Sequence, residues 1–133
     1  MALQLSVTVR NARLDTIEST IGTAPILTIR TGAAPADCAT ANAGTVLATL
    51  TLPSDWMAAA SSGSKAKSGT WQDASADATG TAAHFRIHDS TATTCHIQGT
   101  CGIGTGDLQL DNTSIATGQV VTVTAFTLTD GNA

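Results

Sequence analysis

Ala82-Ala-His-Phe-Arg-Ile-His88, the polar run from Asp89 to Thr93 and the returning segment Thr94-Cys-His-Ile-Gln98 together decide the fold. Phe85 and Ile87 alternate with His84, Arg86 and His88, while Cys95 and Ile97 alternate with His96 and Gln98. A period of two places one set of side chains on one face of a strand and the other set on the opposite face. Two such runs around a short polar turn make an antiparallel hairpin. Downstream, Asp107-Leu-Gln-Leu110 and the long run from Gln119 to Thr129 read as further strands, divided by a turn region over Asn112–Gly118. Upstream, Pro25–Thr31, Thr45–Leu52 and Gly69–Gln72 are strand candidates, with a Gly/Ala/Pro/Asp loop over Gly32–Gly44. The expected fold is mainly β: a β-sandwich or jelly-roll-like domain over residues 23–133, preceded by a short N-terminal helix. Its core should hold Phe85, Ile87, Ile97, Leu108, Leu110, Val121, Val123 and Phe126. Val121 and Val123 are out of phase with Phe126, so the last strand needs a bulge or burial on both faces.

The N-terminus has a different period. Leu3, Val7, Leu14, Ile17 and Ile21 follow a helical spacing, with Arg10 interrupting the stripe. A helix is expected over residues 12–21, within an arm covering 1–22. Val7, Thr8 and Val9 weaken its first half, and Gly22 stops it. The stripe is too apolar to face water, so Leu14, Ile17 and Ile21 should pack on the domain while Leu3 and Val7 reach another subunit. Pro53–Ala60 is expected to form one or two helical turns with Ser54 as N-cap. Ser61–Gly69, which carries Lys65 and Lys67, reads as a mobile loop.

The composition narrows the function. Thr, Ala, Gly and Ser fill more than half of the 133 positions, aromatics are 3% and charged residues 12%. Low charge with a mean hydropathy of +0.15 argues against disorder. A formal net charge of −4 gives no basic face for phosphates, so no nucleic-acid partner is expected. The apolar runs are too short to span a bilayer, so no membrane partner is expected either. Cys38, Cys95 and Cys101 are an odd set. Cys95 and Cys101 could bridge across a turn near Gly99, Cys38 could reach a neighbouring chain, or all three could be free thiols.

His84, His88 and His96 form the sharpest polar constellation. Three imidazoles on one face suit zinc, but His84 and His88 lie four residues apart on a strand, roughly 13 Å, too far for one ion. They are expected instead on an exposed or intersubunit face. Cys95 and His96 point to opposite sides of a strand and cannot form a nucleophile–base dyad. Carboxylates occur mainly in turn contexts. Gly99–Gly106 lacks the lysine and the following helix of a phosphate loop and reads as a loop between strands. Asn112-Thr-Ser matches a glycosylation sequon, which carries no weight without a secretory context. No catalytic, cofactor or metal residue is expected.

Val9–Gly22, Ile29–Pro35, Leu52–Met57 and Gly69–Asp73 together resemble a group of small tailed-bacteriophage and prophage proteins encoded among virion structural genes. The resemblance implies a virion component, assembled in the host cytoplasm. The leading expectation is a capsid decoration or cement protein, a homo-oligomer bound to the major capsid protein or other virion proteins. The alternatives are a neck, collar or tail-associated protein, a carbohydrate-binding module using Trp56 and Trp71, and a small glycan hydrolase. Interface residues would be Leu3, Val7, Arg10, Leu14, Ile17, Cys38, His84, His88 and His96.

Overall fold

A computed structural model describes residues 2–132; the outermost positions of the expected arm and domain, Met1 and Ala133, lie outside them. The chain begins with helix α1 (Val7–Ile21). Ten strands follow: β1 (Ile26–Arg30), β2 (Val46–Thr51), β3 (Ser64–Ala66), β4 (Gln72–Asp73), β5 (Gly80–Thr81), β6 (His84–His88), β7 (Cys95–Gly102), β8 (Leu108–Leu110), β9 (Ser114–Ile115) and β10 (Val121–Thr129). The fold is mainly β.

The helix starts five residues before the expected segment because its end is capped. Ser6 Oγ accepts from Val9 N at 3.2 Å, satisfying one of the free first-turn N–H groups and offsetting the poor propensity of the β-branched residues. Gly22, at φ +92, ends it and donates its N–H to Glu18 O. Leu14 and Ile21 are buried and Ile17 is half-buried against the core.

Strands in the order β2-β1-β6-β7-β8-β10-β3 form one sheet, with β4 also paired to β10; β5 and β9 make a separate ribbon. All pairings are antiparallel except β7 with β8. The sheet curls until β2 meets β4. Asp77 N donates to Leu47 O at 2.7 Å, and Thr49 N donates to Asp73 Oδ2 at 3.0 Å, tying the β2 edge to the segment beside β4. Inside the curl, Trp56, Trp71, Phe126 and Phe85 form an aromatic chain with successive centroid distances of 6.0, 5.5 and 5.7 Å. The expected core residues lie there, Ile97 half-buried at its margin. Of the two alternatives for the last strand the chain uses a bulge, between Val123 and Ala125.

Three local expectations change. Pro53–Ala60 forms no helix, because its backbone groups are spent on the neighbouring segment: Ala58 N donates to Ala66 O, and Ser68 N donates to Trp56 O. The supposed mobile loop contains β3, whose Lys65 is buried. The glycine-rich segment extends β7 as far as Gly102. Gly99 permits this because a Cβ there would stand 2.7 Å from Asp107 Oδ2 and 3.0 Å from the Phe85 ring.

Candidate functional site

The outer face of the β1–β6–β7 sheet carries the densest polar chemistry of the chain. Arg30 on β1 is the register partner of His84 on β6, Thr28 of Arg86 and Ile26 of His88. Arg86 in turn faces Gln98, and His88 faces Cys95 on β7. Every residue of β6 is buried, Phe85 and Ile87 in the core and His84 and Arg86 beneath the loop of residues 32–44. That loop crosses the outer face as a strap held by the side chains beneath it. Arg86, 1% exposed, donates through Nη1 to Thr40 O (3.0 Å) and Asn42 Oδ1 (2.7 Å), and through Nη2 to Asp37 O (3.2 Å) and Cys38 O (2.9 Å). Gln98 Nε2 donates to Pro35 O at 2.7 Å, and His84 Nδ1 lies 2.7 Å from Gly32 O.

Acceptor dipoles of the strap, rather than a carboxylate, receive the Arg86 guanidinium, and this sets the electrostatics of the layer. Burial, and then the like charge of Arg86, push Arg30 below its ordinary value. Burial also lowers the His88 pKa, with Arg86 and Arg30 adding to the effect, so the imidazole is neutral at pH 7. The Cys95 thiol is pushed up to about 11 by burial and by the adjacent Cys38 thiol. His84 Nε2, Arg86 Nε, His88 Nδ1 and Gln98 Oε1 are buried here without a protein partner.

This arrangement corrects the expectation for the histidines. His84 lies under the protein's own strap and His88 is likewise buried, so neither is on an exposed face. His96 stays exposed, as expected, and near enough to His88 for its charge to help lower the His88 pKa. The register shift between Ile87 and His88 pairs Cys95 with His88 and leaves His96 unopposed; it lines a cleft of about 250 Å³ with Ile17, Thr20 and Ile21 of the helix. Among the described residues, no three His, Cys, Asp or Glu side chains are grouped so as to hold a metal. Cys95 and Cys101 lie six residues apart on β7, roughly 20 Å along a strand, so they cannot bridge. The Cys95 thiol donates to Ile97 O at 3.4 Å, and Cys38 lies on the strap with its carbonyl on Arg86 Nη2.

The arm presents a second candidate surface. Leu5 N donates to Asn132 Oδ1 (2.8 Å), Arg10 Nη1 donates to Asp130 O (3.0 Å), and Arg13 Nε pairs with Asp130 Oδ2 (3.2 Å). Arg10 is thus committed to its own chain. Leu14 is covered by its own domain, and Ile17 partly so. Leu3, Val7 and Val9 remain exposed, Leu3 by 82%.

A residue that sequence reasoning missed fixes the other side of the helix. Lys65 Nζ donates to Asp15 Oδ1 (2.7 Å), Glu18 Oε2 (2.8 Å) and Ala58 O (2.9 Å), using all three of its donors. Burial, the largest single influence, lowers its pKa, but the bonds and charges of Asp15 and Glu18 outweigh it and hold the pKa above the ordinary value. The available signal was the pair of carboxylates three residues apart on one helix face, which asks for a cation opposite.

A groove of about 520 Å³ opens between β7, β8 and β10, with Phe85 and Phe126 at its base and Asp107, Gln109, Thr127 and Thr129 in its lining. Asp107 is the carboxylate among its described lining residues, and it already accepts from Thr100 N and Oγ1 at 2.9 and 3.1 Å. Trp56 and Trp71 are wholly buried, with indole N–H groups donating to Gly22 O and Ser68 O. No helix among the described residues is long and apolar enough to cross a membrane.

In comparisons with known protein families, curated proteins and solved structures, nothing matches this chain.

Proposed function

We propose that this protein is a structural component of a tailed-phage virion, a capsid decoration or cement protein that stabilises the assembled head through protein–protein contacts. The observation that carries the reading is the exposed apolar set Leu3, Val7 and Val9 on an arm tied down by Asp130 and Asn132. An arm already fixed to its domain loses little conformational entropy on docking. Burying Leu3 would contribute roughly 1.5–3 kcal/mol, and Val7 and Val9, already about half covered, roughly half as much each. The phage-like segments noted above supply the identity of the partner, the major capsid protein or another virion protein, with the chain acting as a homo-oligomer and residing in the virion. The same reading treats the curled sheet as a sandwich or jelly-roll relative, its β1–β6 half facing its β10–β4 half across the aromatic core.

A neck, collar or tail-associated role remains the second reading, since the same surface serves either position. Burial of both tryptophans removes the stacking platform on which a carbohydrate-binding role rested. Quantitative mass spectrometry of purified particles separates the two virion positions: a cement protein occurs in numbers comparable with the capsid subunits, a neck protein far below them. The triple variant Leu3→Ser, Val7→Ser, Val9→Ser should fold normally and be lost from particles. Absence of the wild type from virions, or full incorporation of the triple variant, would overturn the proposal.

A further inference from the structure

Strand β8 fills only part of the space between its neighbours. It pairs with β7 at Cys101 and Gly102 and with β10 from Val123 to Phe126, and just before it Gly106, at φ +85, turns the chain out of line. Past that point β7 and β10 run on to Cys95 and Thr129 with the groove of about 520 Å³ between them. Consecutive residues from Ala125 to Thr129 line it, together with Ile97 and Gln98. Side chains alternate between the faces of a strand, so a groove touched by consecutive residues runs along strand edges. The backbone bonds agree. Lys67 N donates to Phe126 O and Asp130 N donates to Gly63 O, both on the β3 side, so by alternation the N–H and C=O of Thr127 and Thr129 point to the groove. On the other wall Asp107 N donates to Thr100 O, and the backbone groups of Gln98, two residues earlier, point the same way. Among the described residues no strand pairs with these groups. The gap has the form of one missing strand over a base of Phe85 and Phe126.

We propose that the extended N-terminal tip of a second copy of this chain fills the gap as a strand, with Ala2–Gln4 in line with β8. Sequence, charge and exposure favour this occupant. Leu3-Gln4-Leu5 repeats Leu108-Gln109-Leu110 of β8, in which both leucines are buried and the glutamine is half-buried. In the same phase Leu3 falls on the Phe85–Phe126 base, and the tip matches the unpaired β10 edge, Thr127–Thr129, in length. Residues 2–6 carry no charged side chain, and Asp107, the carboxylate of the groove, is already bonded to Thr100, so docking strips water from no unpaired charge. Leu3 is 82% exposed, and its own chain holds it out of its own groove: Asn132 grips Leu5 through the N–H (2.8 Å) and the C=O (3.1 Å), and Ser6 caps the helix that follows. Main-chain bonds to both walls supply the affinity, and Leu3 fixes the register. Reciprocal exchange between two copies closes as a dimer and leaves neither edge open. The pairing needs no assembled particle, so it goes beyond the virion reading; Val7 and Val9, on the helix, stay available to another partner.

The test uses the purified full chain. Sedimentation velocity over a dilution series should give the mass of two chains, falling to one on dilution. In an equal mixture of isotope-labelled and unlabelled chains, filtered nuclear Overhauser spectra should connect the Leu3 methyls of one copy to the Phe126 ring and the Thr127 and Thr129 amides of the other. Thr127→Pro removes an N–H that faces the groove and leaves the β3 ladder intact, and Leu3→Ser changes an exposed side chain; both should keep the wild-type circular dichroism and run as single chains. Because Thr127→Pro retains Leu3, Val7 and Val9, its entry into particles reports on the virion reading separately. A single-chain mass at every concentration up to about 1 mM, Leu3 contacts with the groove of its own chain, contacts between copies at another surface, or a dimer that survives either substitution would each overturn the proposal.

Discussion

Replacing Arg86 with Met tests whether the strapped face is held by the guanidinium. Four hydrogen bonds of 2.7 to 3.2 Å leave this side chain for the strap. Hydrogen bonds involving a charged group contribute about 1.5–3 kcal/mol each, so the gross loss is about 6–12 kcal/mol. Two effects oppose it. Met removes the several kcal/mol needed to strip water from a buried charge, along with the repulsion of Arg30. The abandoned acceptors also belong largely to exposed residues, Asp37, Thr40 and Asn42, where water takes over part of the bonding. The net destabilisation should be about 2–4 kcal/mol, which for a chain of this size lowers the thermal midpoint by about 10 °C. Arg86→Lys, with one ammonium in place of a planar fork, should fall between Met and wild type. Urea unfolding gives the magnitude. Hydrogen exchange at the Thr40 amide, which donates to Asp37 O and Oδ1, gives the location and should accelerate. An Arg86→Met protein within about 0.5 kcal/mol of wild type, with unchanged exchange at Thr40, would refute the idea that the guanidinium fastens the strap.

Phe85→Ala should cost about 3–5 kcal/mol, because the ring is buried edge-on against Phe126 at 5.7 Å and its removal leaves a cavity beneath Gly99; an unchanged urea midpoint would contradict the core assignment. Asp89 is held down to about pKa 2 by the Thr93 N–H, assisted by the Thr91 hydroxyl and the Thr94 N–H. Its folded pKa lies below the unfolded value of 3.8, so between these values the unfolded state binds more protons and stability falls as pH falls. Asp89→Asn should therefore flatten part of the loss of stability between about pH 4 and 2, measured as the difference in urea midpoints across that window; parallel profiles for the two proteins would show that the β6–β7 turn gains nothing from the carboxylate.

Period-two alternation in His84–His88 and Cys95–Gln98 was enough to assign a hairpin, and the clash of phase between Val123 and Phe126 was enough to require either a bulge or burial of both faces. These features are local: a strand's side chains alternate whatever surrounds them, and an extra residue must shift the register. The helical stripe from Leu14 to Ile21 and its glycine stop were legible for the same reason. Alternation says which side chains share a face, however, and nothing about what covers it. His84, Arg86 and His88 read as an exposed polar row because polar residues usually face water; the long-range return of residues 32–44 covers His84 and Arg86, with backbone carbonyls satisfying Arg86. Tertiary structure likewise decided the position of His96, through a one-residue shift invisible in the local pattern, and the burial of Lys65, whose acidic partners lie 50 and 47 positions away. The sequence by itself determined a β-rich chain with a helical arm and named the core residues of β6, β8 and β10, but not Trp56, Met57 and Trp71 or the apolar residues of β1 and β2 that complete the core. Closure of the sheet and the strap over its outer face were decided by contacts between distant segments, whose energies depend on the whole curled sheet being in place.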